Sequence, residues 1–174
     1  MIAGLADTPD FRWGIERETH RVTPEGTLSA APHPATLAPP SFTKDFAESQ
    51  LELVTRPHGS IPDAVAELRT LTEAARDAIG SESLWPFSMP PPLAGDAAIP
   101  VARMGAGDSA REAERYRTGL SARYGTARQL ICGVHVNVSF GERTLASLRS
   151  RAPLTVEEAL GGNERDARYL RIAR

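Results

Sequence analysis

Alternation constrains this chain more than any other feature. From Phe11 to Val22, Phe11, Trp13 and Ile15 fall on one face of an extended segment, and Glu16, Glu18 and His20 fall on the other. Leu51 to Thr55 repeats the device, with Leu51 and Leu53 on one side and Gln50, Glu52 and Val54 on the other. Leu130 to Phe140 repeats it again. There Leu130, Cys132, Val134, Val136, Val138 and Phe140 oppose Gly133, His135, Asn137 and Ser139. Strands with one apolar and one polar side fit an antiparallel sheet covered on one face. The expectation is that all three share one sheet, with the acids, His135 and Asn137 on its polar side.

Helical signals lie between these strands. Ser60 can cap a helix with Pro62 and Asp63 in its first turn, and Val65, Leu68, Leu71, Ala75 and Ile79 form its apolar stripe up to Gly80. A second helix is expected from Asp108 or Ser109, carrying Tyr116 and Leu120 on one side. A third begins after Asn163 and presents Tyr169, Leu170 and Ile172, and no glycine or proline closes it before Arg174, so further sequence is expected to follow. Pro24-Glu25-Gly26 reads as a turn into a return strand at Thr27-Leu28-Ser29. Proline and glycine crowd residues 31–40, 86–92 and 100–107, marking loops. The fold class expected is α+β.

Composition narrows the function. A net charge of −2 gives no broad basic field, which argues against a nucleic-acid partner. No apolar run approaches the ~20 residues that cross a bilayer, and the N-terminus has no secretory pattern. The single cysteine, Cys132, allows neither an internal disulfide nor a multi-cysteine zinc site, so a cytoplasmic protein without membrane contact is expected. Cys132 itself reads as a small core residue of low reactivity.

Two stretches concentrate oxygen ligands. Glu16 and Glu18 leave the same face of one strand, and Asp45, Glu48 and Glu52 gather at the edge of the next. Such acids either surround a hard cation, magnesium or calcium, or form a solvated polar face. His135 is either a structural histidine or a catalytic one, and Tyr116 with Arg117 is either a packed tyrosine beside a solvated arginine or a ligand contact. Trp85-Pro86-Phe87 either stacks on a ligand or covers the core, the second being the favoured reading. There is no Walker loop, dinucleotide fingerprint or nucleophile elbow, so any ATP is held by other means.

The same residues form ordered phrases. Gly14-Ile15-Glu16-Arg17-Glu18-Thr19 with Arg21-Val22 and the Pro24–Leu28 turn resembles the opening motif of proteobacterial-type glutamate–cysteine ligases. His33-Pro34, Thr43-Lys44-Asp45-Phe46-Ala47-Glu48 and Leu51-Glu52-Leu53 are similar to its second, acidic motif. Leu84-Trp85-Pro86-Phe87-Ser88-Met89-Pro90, Tyr116-Arg117-Thr118-Gly119-Leu120, Arg123-Tyr124-Gly125 and Gly133-Val134-His135-Val136-Asn137-Val138-Ser139-Phe140 follow in the family's order. The match covers about residues 14 to 140, with an echo at Asp166-Ala167-Arg168-Tyr169-Leu170.

The resemblance implies that residues 1–174 are the N-terminal part of a catalytic domain with a glutamine-synthetase-like fold, a curved antiparallel sheet and flanking helices. It implies an enzyme that uses ATP and Mg2+ to join the side-chain carboxylate of L-glutamate to L-cysteine, the first step of glutathione synthesis. By motif position, Glu16, Glu18, Asp45, Glu52 and His135 would hold the metal. His135 and Asn137 would act at the reaction centre, and Tyr116, Arg117 and Phe46 would form the cysteine pocket. Lys44 departs from the small polar residue more usual in the family, and family members are longer, with later arginines and a further acid completing the nucleotide site. The alternatives are a non-catalytic remnant or binding module of this fold, a subunit of a split enzyme, or a carboxylate–amine ligase with another acceptor.

Overall fold

The computed structural model describes residues 10–93 and 99–151, the side chains of 148–151 excepted. The expected helix after Asn163 lies outside them. The element order is β1 (Phe11–Val22), β2 (Phe42–Lys44), β3 (Gln50–Val54), α1 (Ile61–Ala78), β4 (Ser83–Leu84), α2 (Asp108–Tyr124), β5 (Val134–Phe140) and α3 (Glu142–Arg151), with a short 3-10 helix at Ala127–Leu130. The class is α+β, as the alternation requires.

The strands form one five-stranded sheet organised around β1. β3 pairs antiparallel with one edge of β1, matching Glu16 with Val54 and Glu18 with Glu52. β5 and β4 occupy the other edge, β5 matching Glu16 with His135 and Gly14 with Asn137. β2 extends the sheet beyond β3 and sets Thr43 opposite Glu52. Opposed residues share a face, so the register gathers Glu16, Glu18, Glu52, His135 and Asn137 on one side. Phe11, Trp13, Ile15, Leu51 and Leu53 take the other.

α1 covers part of that apolar side. Its cap is the expected one: the Ser60 hydroxyl accepts from the Asp63 N–H at 3.2 Å, and Gly80, at φ +63°, follows the last turn. Leu68, Leu71, Ala75 and Ile79 pack on Leu37, Phe42, Leu51 and Leu53 to make the main core. A second cluster, Phe46, Ala47, Ile99 and Leu130, fills the space under the loops.

Two elements differ from expectation. The third strand begins at Val134, because Leu130 turns away on the 3-10 helix, is fully buried in the second cluster, and gives its carbonyl to His20. Cys132 therefore lies beside the strand. Its buried thiol is pushed up to about 11, chiefly by burial, and is inert. The return strand after the first turn is reduced to a single Val22–Leu28 bridge.

Half of the apolar side stays bare. Val134, Val136 and Val138 are 61%, 60% and 41% exposed, and β5 has no strand on its outer edge among the described residues. Such an edge templates association. Val136→Lys should therefore change unfolding free energy by less than about 0.5 kcal/mol while reducing aggregation on heating, read as light scattering. A loss above ~1 kcal/mol would mean that the valine packs against something.

Candidate functional site

The polar face of the sheet is an acidic surface built on register. Glu18 stands directly opposite Glu52, an arrangement that repels unless something positive joins it. Glu18 Oε2 accepts the Gly133 N–H at 2.8 Å, and Glu52 accepts the Thr43 hydroxyl. His135 Nδ1 approaches Glu16 Oε2 at 3.4 Å. Asn137 lies exposed next to Gly14, where a Cβ would meet Asn137 Cβ at 3.8 Å.

Asp45 reaches this surface from the loop after β2. Burial raises its carboxyl above the ordinary value, and the charges of Glu18 and Glu52 raise it further, against the opposing pull of Arg117 and His135. These groups thus share one electrostatic neighbourhood. Among the described residues no three acid, histidine or cysteine side chains already converge as metal ligands. The donor set is nevertheless one a hard cation takes: carboxylate oxygens with one imidazole, side by side and mutually repelling.

A buried polar floor, which the alternation alone did not single out, supports the acids. The fully buried Gln50 donates to Asp45 Oδ2 at 3.3 Å and to the Gln129 carbonyl at 3.1 Å, while its oxygen accepts the Ala47 N–H at 2.9 Å. His20 is also fully buried. Its Nε2 donates to the Leu130 carbonyl at 2.8 Å, which leaves Nδ1 to accept the Ser49 hydroxyl at 3.0 Å. Zero exposure of both side chains was the missing signal, since their position on the polar face suggests solvent.

Burial lowers the pKa of His20, against the raising effect of the Leu130 carbonyl and Glu18, so the folded state keeps it neutral. The unfolded chain then takes up the proton first as pH falls below the ordinary histidine value near ~6.5. Stability contributed by neutral His20 is complete above that value and declines below it. The melting temperature should accordingly begin to drop near pH ~6.5 rather than at the carboxylate range. A flat profile down to pH ~5 would contradict the buried neutral imidazole.

The expected cysteine-pocket residues lie around the contact of α2 with the loop after β2, where Leu120 touches the Phe46 cluster and lines the groove of Tyr116. Arg117 commits its guanidinium to backbone carbonyls, those of Asp45, Lys44 at 3.4 Å and Ala113 at 3.1 Å, and so holds the acidic loop in place. Phe46 is 3% exposed in the second core cluster, because the chain turns inward after Asp45. Tyr116 is 66% exposed on α2, in a groove of about 310 Å³ with Glu112, Arg115, Gly119, Leu120 and Arg123. Of the three, Tyr116 is the most exposed. Lys44 is not beside Glu16, Glu18 or Glu52: its ammonium pairs with Glu48 at 2.9 Å. Phe87, at 63% exposed, packs edge-on against Trp85 instead of covering the core.

Comparison with known proteins identifies the family. The family model described as glutamate-cysteine ligase matches residues 6–174. A glutamate–cysteine ligase of Clostridium acetobutylicum is 38% identical over 137 residues, 76% of this chain and 28% of that protein. One from Edwardsiella ictaluri is 44% identical over 133 residues, 74% of this chain and 26% of that protein. The Francisella tularensis glutamate–cysteine ligase, solved in complex with AMP, superposes with a TM-score of 0.80 at 37% identity, covering 88% of this chain and 32% of that one. The chain spans less than a third of the length of these relatives. By the family-model match over residues 6–174 and by its fold, it belongs to the glutamate–cysteine ligase family.

Proposed function

We propose that this chain supplies the metal-binding face of an ATP-dependent ligase that joins L-glutamate to L-cysteine. The observation that carries the reading is Glu18 opposite Glu52 with Glu16, His135 and Asp45 around them, in a chain whose relatives bear that activity. A carboxylate is inert toward an amine because its oxygen leaves poorly. Transfer of the γ-phosphoryl of ATP to the glutamate side chain gives an acyl phosphate, and the cysteine amine displaces phosphate to form γ-glutamylcysteine.

Glu16, Glu18, Asp45, Glu52 and His135 would hold Mg2+, which supplies neutralisation of phosphoryl charge. The chain's own groups do the rest of the work on this side. Gln50 and the Gly133 N–H fix Asp45 and Glu18, Thr43 fixes Glu52, and Arg117 anchors the loop that carries Asp45. Asn137 offers an amide on the same face, and Tyr116 offers the exposed phenol for the cysteine side. The later arginines and further acid that the family resemblance implies would grip phosphate and glutamate.

The test uses the enzyme containing this segment at the length of its relatives, given ATP, Mg2+, cysteine and glutamate labelled with 18O in its side-chain carboxylate. The expected result is ADP, γ-glutamylcysteine and one 18O in the released phosphate. Dipeptide without label transfer would rule out the acyl phosphate, and absence of dipeptide would sink the ligase reading.

A further inference from the structure

Glu48 organises a part of the molecule that the acidic face does not use. Its buried carboxylate accepts the His33 N–H at 2.9 Å, the Lys44 ammonium at 2.9 Å and the Arg103 N–H at 2.7 Å. These bonds staple the segment after residue 33, β2 and the loop at residue 103 around a cavity of about 290 Å³. A liquid water occupies ~30 Å³, so the space suits a compound of roughly ten heavy atoms.

The lining defines what would fit. Leu37 and Phe42, both members of the main core, provide an apolar wall, with Met104 at the side. His33 lines it with its ring, whose two nitrogens are turned into the protein and closed to solvent. Burial, then the charges of Lys44 and Arg21, push its pKa down to about 4, so the ring is neutral and carries one N–H and one bare nitrogen. The Lys44 charge is cancelled by Glu48, whereas the exposed Arg103 has no acidic partner among the described residues. One uncompensated positive charge remains.

We propose that this cavity binds a small monocarboxylate with an apolar body, the body on Leu37, Phe42 and the His33 ring and the carboxylate at Arg103. Arg103 is one guanidinium without an ion pair among the described residues, which suits a monoanion, and the apolar wall excludes a bare inorganic ion. Thr43 also lines the cavity while its hydroxyl donates to Glu52, so the cavity and the acidic face share a wall. Binding here does not depend on the ligase reading.

The test is a titration of the 174-residue protein with benzoate, following the imidazole carbon–hydrogen NMR signals of His33. Benzamide serves as the neutral isostere, and inorganic phosphate as the anion without a body. Benzoate should shift the His33 signals saturably. Benzamide, phosphate and benzoate on Arg103→Met should each bind at least tenfold more weakly, as expected for loss of a charge-assisted contact worth about 1.4 kcal/mol. Arg103 is exposed and its backbone bonds persist in the variant, so folding is not at stake. Absence of a saturable His33 shift, benzamide or phosphate binding as well as benzoate, or unchanged affinity in Arg103→Met would each overturn the proposal.

Discussion

Glu16→Gln and Glu52→Gln should each lower kcat of a complete enzyme carrying this segment by at least ~100-fold, without lowering its melting temperature in EDTA. Glutamine keeps the size and one acceptor oxygen but removes the charge a hard cation requires. Losing that cation leaves the transferring phosphoryl charge uncompensated, and compensating that charge is most of what a protein contributes to such chemistry. The metal-free fold has no stake in the charge. Glu52 faces Glu18 across the strand pair, and Asp45 is held above its ordinary value by burial and by both acids. Removing one negative charge relieves that repulsion, so the apo variants should be as stable as the parent or slightly more so. The comparison is kcat across a magnesium titration alongside melting in EDTA. Activity untouched by Glu16→Gln would show that the acids are only a solvated surface.

Glu48→Gln should do the reverse, costing about 2–4 kcal/mol of stability, with turnover at low temperature much less affected. Glu48 lies in the same motif as Asp45 but is 3% exposed and points away from the acidic face. It binds two backbone N–H groups and the Lys44 ammonium, so an amide in its place turns an NH2 toward donors and leaves that cation only the Arg103 carbonyl, at 2.6 Å. Burial would raise its pKa, yet the Arg103 and His33 N–H groups and Lys44 outweigh it and the net direction is down. Its contribution is therefore present above the ordinary carboxylate range and lost as pH falls through the lowered folded value. At ~2–4 °C per kcal/mol for a chain of this size, the melting temperature should fall by roughly 4–16 °C at pH 7. A shift below ~1 °C would mean that the carboxylate staples nothing.

The sheet was legible because its three longer strands alternate, with exceptions such as Arg17 and Val54. Each of Glu16, Glu18, Glu52, His135 and Asn137 shares the polar face that alternation gives it, and β1 and β3 fall within a residue of expectation. α1 was legible because Ser60 caps it locally. α3 was not, since its cap is Asp10, far away in sequence. The Asp10 carboxylate accepts from Thr144 N–H at 2.9 Å, from the Thr144 hydroxyl at 2.6 Å and from Arg143 N–H at 3.2 Å. Those bonds, the Thr144 hydroxyl foremost, hold Asp10 down to about 2. β2 and β4, at three and two residues, are too short to show a period. The site was legible as a set of acids but not as an environment. Which acids meet, and which of them, like Glu48, is tied into the loops, depends on partners such as Gln50, Gly133 and Arg103 that carry no local signature.

Whether the acidic face of β1, β3 and β5 gathers a divalent cation can be read from manganese titration of this chain. Mn2+ added at substoichiometric amounts should broaden the NMR signals of His135 and of the Glu16, Glu18 and Glu52 side chains before any others. Excess Mg2+ should restore them, and the Glu16→Gln, Glu52→Gln double variant should abolish the selectivity. Uniform broadening across the surface, or selective broadening that persists in the double variant, would mean that these acids do not hold the metal.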